Sequence, residues 1–446
     1  MSRSCGGASW WVHHVYIRSR RRNDVHRTPS DQRRSSLTSQ SAERLRVLFV
    51  DDEPNVLAGL RRMLHARRVS WECVFATGGP EALALMEERR FDVIVADLRM
   101  PIMTGTELLD RVRVRHPDTI RIVLSGQLNS DAVLPTVRST HRFLAKPCDG
   151  ETLVATVSRA VALREVLRSE PVRRLVGQID QLPSVPQLFT ELEVELQRRE
   201  PSIRRAARLV AQDMGMSAKV LQLVNSAYFA PTQQVTSVER AVAMIGLETL
   251  RALVLTLHVF GRFPRTKLRG FNIERLWQHS LDVGKFAHRL LRIAGANEHE
   301  ANAALVAGLL HATGKMVFAE YLPDAYRQVI EANAGPEREC ELELEVFGVS
   351  HAEVGAYLLG LWGLPDVIVE AVAWHHRPSA RVGDDFSPTA AVHLADLFSM
   401  ALRQRSVEDD SFQALKRLPL DWELLERVGA ASRLGEWLEA VQREES

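Results

Sequence analysis

Two sets of residues carry chemistry in this 446-residue sequence. In the first, Asp51-Asp52-Glu53 follows the apolar run Val47 to Val50 and Asp97 follows Val93 to Ala96. Ser125 then closes Ile120 to Leu124, and Lys146-Pro147 closes Arg142 to Ala145. Carboxylates brought to one place repel one another and favour a hard cation; Mg²⁺ takes oxygen ligands and keeps water and phosphate oxygens in its shell. A carboxylate beside such a cation, faced by a hydroxyl and an ammonium, is equipped to accept a phosphoryl group. Asp97 would attack in line while Lys146 neutralises the phosphoryl oxygens. The second set is rich in imidazole. Of 15 histidines, nine fall between His258 and His393, and the informative ones are His279, His311, His351, the pair His375-His376, and His393 with Asp396 shortly after it. Imidazoles and a carboxylate drawn from separate helices of a bundle are a standard way to build a transition-metal site.

The acidic set requires elements that bring strand ends together. Five short β-rich runs (the four above and Glu72 to Ala76) alternate with amphipathic stretches such as Asn55 to Arg68, Pro80 to Arg90 and Glu107 to Arg115. This alternation predicts an α/β doubly wound, five-stranded parallel sheet covered on both faces, with ligands at the carboxyl ends of the strands. A longer helical stretch, Glu151 to Arg168, ends before Pro171. From Gln187 onward apolar residues recur at three- and four-residue spacing, as in Ala206, Leu209, Val210 and Ala241, Met244, Ile245. That region reads as an all-α helical bundle without strands.

The first 44 residues hold nine arginines against three acids with no apolar period, so they read as a disordered basic tail. A nucleic-acid or membrane arm and a targeting peptide are the alternatives there, and an over-long start is also compatible. The predicted organisation is a tail over 1–44, the sheet domain over 45–168, a linker over 169–181, the bundle over 182–400 and a C-terminal helical extension over 401–446. The balance of 57 basic against 56 acidic residues argues against a chain-wide affinity for nucleic acid. The four cysteines are far apart with no Cys-x-x-Cys, so spacing supports neither a disulfide framework nor a cysteine-based zinc site, and it fits a reducing cytoplasm. No apolar run reaches the length of a membrane span.

The stretches Val47-Leu-Phe-Val-Asp-Asp-Glu-Pro54, Val93-Ile-Val-Ala-Asp-Leu-Arg-Met-Pro101, Val123-Leu-Ser-Gly126 and Phe143-Leu-Ala-Lys-Pro147 resemble the receiver domain of bacterial response regulators. The resemblance implies a flavodoxin-like fold with Asp97 as phosphoacceptor. It implies Mg²⁺ among Asp51, Asp52, Asp97 and the backbone carbonyl of Arg99. Ser125 and Lys146 would bind the phosphoryl oxygens, and Phe143 would be the aromatic that rotates on phosphorylation. Pro135 departs from the pattern, since it would kink or shorten the fourth helix.

The histidine order resembles the HD superfamily of metal-dependent phosphohydrolases, with His279, His311 and Asp396 at ligand positions. Ala312 stands where the bridging aspartate of the His-Asp doublet belongs, and a methyl group cannot replace it. Leu182-Pro-Ser-Val-Pro186, Val224-Asn-Ser-Ala-Tyr-Phe229, Trp277-x-His-Ser280, Ala307-Gly-Leu-Leu-His311, His351-Ala-Glu-Val-Gly355 and Val392-His-Leu-Ala-Asp396 are more closely similar to the HDOD domain, a degenerate HD relative. The implied protein is a cytoplasmic response regulator phosphorylated by a sensor histidine kinase. Its HDOD region would signal through an unidentified protein or ligand, without direct DNA binding and with a homodimer possible, and a transition metal there is doubtful. The alternative is a receiver-controlled HD-GYP-type phosphodiesterase of cyclic dinucleotides, which Lys315 and His375-His376 fit and Ala312 opposes.

Overall fold

The computed structural model describes residues 44–126, 136, 139–165, 167, 169–180, 182–184, 186–226, 229, 231, 233–256, 261–262, 268, 270–332, 336–381, 385–404 and 419–442. The expected basic tail (but for its last residue), Pro135 and Tyr228 lie outside them. The chain divides into two compact units, one ending at Gln178 and the other beginning at Ile179.

In the first unit, β1 (Arg46–Val50), β2 (Glu72–Ala76), β3 (Val93–Ala96), β4 (Ile120–Ser125) and β5 (Arg142–Ala145) form one parallel sheet in the order β2-β1-β3-β4-β5. The central strands β1, β3 and β4 are buried along nearly their whole length, as a sheet covered on both faces demands. The covering helices are α1 (Pro54–Ala66), α2 (Gly79–Glu88), α3 (Gly105–Arg115) and α4 (Gly150–Ala162). Proline lies in the first turn of both α1 and α2, where its missing N–H costs nothing. α3 opens on a reciprocal capping box between Thr104 and Glu107, and Asp149 caps α4 by accepting from the amides of Glu151 and Thr152.

The single helix expected from Glu151 to Arg168 stops at Ala162 and passes into a short 3₁₀ turn, Leu163–Glu165. Arg164 lies in that turn. It donates to the Asp92 carboxylate at 2.6 Å, to the Asp92 carbonyl at 2.9 Å, and to the Asp118 carbonyl, contacts at the amino ends of β3 and β4. A further helix, α5 (Glu170–Gln178), belongs to the same unit. Arg121 of β4, with 1% of its surface exposed, donates to the Gly177 carbonyl of α5 at 2.9 Å and to the Ser139 carbonyl at 2.6 Å.

The second unit is helical. Its described helices are α6 (Pro186–Gln197), α7 (Ile203–Ala211), α8 (Met214–Val224), α9 (Val238–Arg251), α10 (Ile273–Ile293), α11 (Glu298–Leu310), α12 (Thr313–Tyr321), α13 (Pro323–Glu331), α14 (Pro336–Phe347), α15 (His351–Leu361), α16 (Asp366–Trp374), α17 (Pro388–Gln404), α18 (Trp422–Arg427) and α19 (Leu434–Gln442). One departure from the strand-free expectation is a two-residue parallel pairing of Pro183–Ser184 with Gly261–Arg262, too short to leave a period-two signal. α10 packs on α11 and α17. Gly284 and Gly308 let the first two approach backbone to backbone, since a Cβ on Gly308 would lie 2.6 Å from the Gly284 Cα. Among the described residues no helix is long and apolar enough to cross a membrane.

Candidate phosphoacceptor pocket and histidine cluster

The parallel register brings the ends of β1, β3 and β5 to one edge of the sheet, and with them Asp51, Asp97 and Lys146. Lys146 donates to Asp51 Oδ2 at 2.5 Å and to Asp97 Oδ1 at 2.7 Å. The other Asp97 oxygen accepts the Arg99 amide at 2.6 Å, and Asp51 Oδ1 accepts the Glu53 amide at 3.0 Å. Burial would lower the Lys146 pKa, but hydrogen bonds and charge from Asp51 and Asp97 outweigh it and raise it. Asp51, Asp97 and Ser125 are buried and Asp52 is half-buried. Ser125 ends β4, where its carbonyl accepts the Lys146 amide at 2.9 Å and fixes where the lysine leaves the sheet. Phe143 of β5 is turned inward with 5% exposure.

This pocket suits a divalent cation by its own chemistry. Two buried carboxylates already share one positive group, and the half-buried Asp52 follows Asp51 directly in the chain. Gly105 is a residue that sequence reasoning missed. A Cβ at this position would collide with the Asp97 carbonyl oxygen, so only glycine allows α3 to begin so close to the acceptor strand. Its signal was the spacing of eight residues after Asp97 in a loop that must turn back sharply.

The histidines of the second unit also converge. His279 of α10 lies 3.0 Å (Nε2) from Asp396 Oδ1 of α17, and its Nδ1 is 3.1 Å from the Ser399 hydroxyl. His311, at the end of α11, donates through Nδ1 to the Gly308 carbonyl at 2.6 Å, leaving Nε2 as a lone pair. The rings of His279 and His311 are 5.2 Å apart, and His279, His311 and Asp396 could together hold a cation. Ala312 is fully buried beside them, its methyl occupying the doublet position.

His375 donates through Nδ1 to the Val372 carbonyl at 2.8 Å, and its buried Nε2 has no hydrogen-bond partner among the described residues. His376 Nε2 is 3.0 Å from His351 Nε2, and His351 Nδ1 meets the Glu343 carboxylate at 2.7 Å. Lys315 turns to Glu339 at 2.8 Å. His393 is taken up by backbone: Nδ1 donates to the His375 carbonyl at 2.8 Å and Nε2 accepts the Asp421 amide at 3.3 Å. Glu343, Glu339 and Ser399 escaped sequence reasoning because each meets its histidine or lysine only through helix packing.

Burial dominates the electrostatics. It pushes His311 and His351 down to about 3, and His375 and His376 well below the usual imidazole range. Burial likewise pushes Glu343 up to about 7. For Asp396 burial acts upward, but the His279 hydrogen bond and the charges of His279, His311 and His376 hold the carboxyl well below its ordinary value.

A family model for the response regulator receiver domain matches residues 47–158, and one for the HDOD domain matches residues 182–378. The chain is a response regulator with an HDOD domain. An uncharacterized protein of Treponema pallidum is 28% identical to this response regulator over 231 residues, 50% of this chain and 44% of that protein. The transcriptional regulatory protein PrrA of Mycobacterium tuberculosis is 30% identical over 196 residues, 43% of this chain and 83% of PrrA. The response regulator MmoQ of Methylococcus capsulatus, a solved structure, is 23% identical, covering 58% of this chain and 98% of its own, with a TM-score of 0.45. The response regulator thus spans less than half of the Treponema protein it matches.

Proposed function

We propose that Asp97 accepts a phosphoryl group from a sensor histidine kinase in a Mg²⁺-dependent transfer, and that the HDOD domain relays the change through protein or ligand contacts. The bridging of Asp51 and Asp97 by Lys146 is the observation that carries this reading, because an ammonium held there is placed to exchange a carboxylate for a phosphoryl oxygen. Asp51, Asp52, Asp97 and the Arg99 carbonyl are the groups that would hold Mg²⁺. When bound it supplies charge neutralisation for the transferring oxygens.

The Arg99 amide orients the acceptor carboxylate, so Asp97 Oδ1 presents itself toward Lys146. The oxygen–phosphorus bond forms there as the phosphorus–nitrogen bond to the donor histidine breaks, and the departing imidazole keeps the electron pair and takes up a proton. Lys146 and the Ser125 hydroxyl would then hold the phosphoryl oxygens, with Phe143 responding from the neighbouring strand.

In the HDOD domain the methyl of Ala312, buried where a bridging carboxylate would have to stand, favours signalling over hydrolysis. Incubation with Mg²⁺ and a small phosphodonor should label the wild type and leave Asp97→Asn unlabelled. Persistent labelling of the variant would move the acceptor elsewhere.

A further inference from the structure

We propose that α5 is a latch controlled by the phosphoacceptor pocket: it docks at the amino ends of the strands while Asp97 is unmodified, and β4 releases it when the pocket is filled. The inference rests on Asp97 as the acceptor and names how its state leaves the first unit, of which α5 is the last helix.

Few groups hold α5 down. Val172 and Val176 are buried, and Gly177 comes so close to the turn before β4 that a Cβ on it would lie 2.1 Å from the Pro117 carbonyl oxygen. Arg121 donates to the Gly177 carbonyl at 2.9 Å, and Arg113 of α3 donates to the Gln178 carbonyl at 3.4 Å. These carbonyls belong to the last turn of α5, where a helix has no internal donors and carries partial negative charge, so the two guanidiniums act as its cap. The ion pairs around the helix are long. Arg173 Nε is 3.8 Å from Asp118 Oδ1, with both atoms buried and lacking a hydrogen bond among the described residues, and Arg90 is 3.9 Å from Glu170.

Arg121 also carries a conflict. Its backbone N–H faces His141 Nδ1 at 3.1 Å, and its guanidinium lies 2.8 Å from Nε2 of the same ring. A neutral imidazole has one lone pair and a charged one has none, so one of these donors meets an N–H. Withdrawing the guanidinium from His141 ends the conflict and takes the Gly177 contact with it. β4 links this clamp to the pocket: alternate residues Arg121, Val123 and Ser125 share one face of a strand buried along its whole length. Ser125 ends that strand, about 13 Å from Arg121. A phosphoryl group on Asp97 that draws in the Ser125 hydroxyl pulls on a close-packed strand, and the contested contact at its foot is where the strand can yield.

Hydrogen exchange of the full chain, read by mass spectrometry, tests the latch. With Mg²⁺ and beryllofluoride, which stands for the phosphoryl group, amides 173–178 should exchange at least about fivefold faster than with Mg²⁺ alone. Asp97→Asn should remove the response. Gly177→Ala, whose methyl cannot seat against Pro117, should exchange fast without beryllofluoride and, by reciprocity, bind it more tightly by the same factor. Protection of β1 and β3 shows whether that variant is folded, and Arg121→Lys, which gives up the planar fork, takes its place where it is not. Labelling of Asp97 by a small phosphodonor is measured on the same preparations. Unchanged exchange over 173–178 in a chain that labels at Asp97 would overturn the latch and leave the acceptor standing. Equal beryllofluoride affinity in the wild type and the folded variant would do the same, whereas absence of labelling would overturn acceptor and latch together.

Discussion

Replacing Lys146 by alanine separates the charge that holds the pocket together from the charge that would serve phosphoryl transfer. The ammonium lies 2.5 Å from Asp51 Oδ2 and 2.7 Å from Asp97 Oδ1, with 20% of the lysine side chain exposed. At an effective dielectric of about 20, unit charges at such a separation attract by roughly 6 kcal/mol per pair before desolvation is subtracted. Removing one partner of a buried pair costs about 3–5 kcal/mol, and the partial exposure of Lys146 scales this to roughly 2–3 kcal/mol. The loss should appear in metal-free buffer, where Asp51 and Asp97 are left facing each other. It should shrink to about 1 kcal/mol or less at saturating Mg²⁺, because a bound cation offsets the same carboxylates. Urea unfolding read by hydrogen exchange of β1 and β3 measures both values. By the same linkage Mg²⁺ affinity should rise roughly 5–30-fold in Lys146→Ala, whose ammonium no longer competes for the carboxylates, and fall at least about tenfold in Asp52→Ala. Equal destabilisation with and without Mg²⁺, or a loss of Mg²⁺ affinity in both variants, would refute these separate roles.

Gly105→Ala should lower stability by about 1–3 kcal/mol and slow labelling of Asp97, because the new methyl displaces α3 from the Asp97 carbonyl; wild-type urea midpoint and labelling rate would refute this. In metal-free buffer stability should fall as pH drops from 6.5 toward 3. His311 and His351, held at about 3, stay unprotonated when folded while the unfolded chain takes up protons, at up to about 1.4 kcal/mol per pH unit for each. Glu343, pushed up to about 7, acts oppositely between that value and the unfolded value of 4.5, so Glu343→Gln should steepen the acid loss between pH 7 and pH 5. Urea midpoints at these two pH values check both statements. The purified chain should not hydrolyse cyclic dinucleotides, and Ala312→Asp should raise metal occupancy at the His279, His311 and Asp396 set; turnover abolished by His311→Ala would restore the phosphodiesterase reading.

The first unit was readable in the sequence wherever a chemical group adjoins the strand that carries it. Asp51, Asp97 and Lys146 each follow an apolar run directly, so once the sheet is parallel their meeting at one edge is a matter of strand order. Gly105 was harder to read, since its requirement comes from a close approach and not from its own neighbours. In the second unit the helical period announced the bundle, and the histidines announced a cluster. Which imidazole meets which partner depends on helix crossings. Glu343 behind His351, Ser399 beside His279 and Glu339 against Lys315 have no counterpart in local spacing. The early end of α4 escaped for a related reason: helix propensity carries on past Ala162, and the contacts of Arg164 with residues far back in the chain override it.

Arg121 gives this protein a rule for recombination. Its buried guanidinium ends on a carbonyl of α5, beyond the last helix that a five-stranded sheet needs. A chimera cut after α4 would bury that guanidinium with one acceptor missing and would discard Arg164 with its grip on Asp92 and Asp118. A graft taken through Gln178 carries both contacts with it. The interchangeable cassette therefore extends beyond the sheet domain, and Arg121 and Gly177 should travel together when such domains are exchanged.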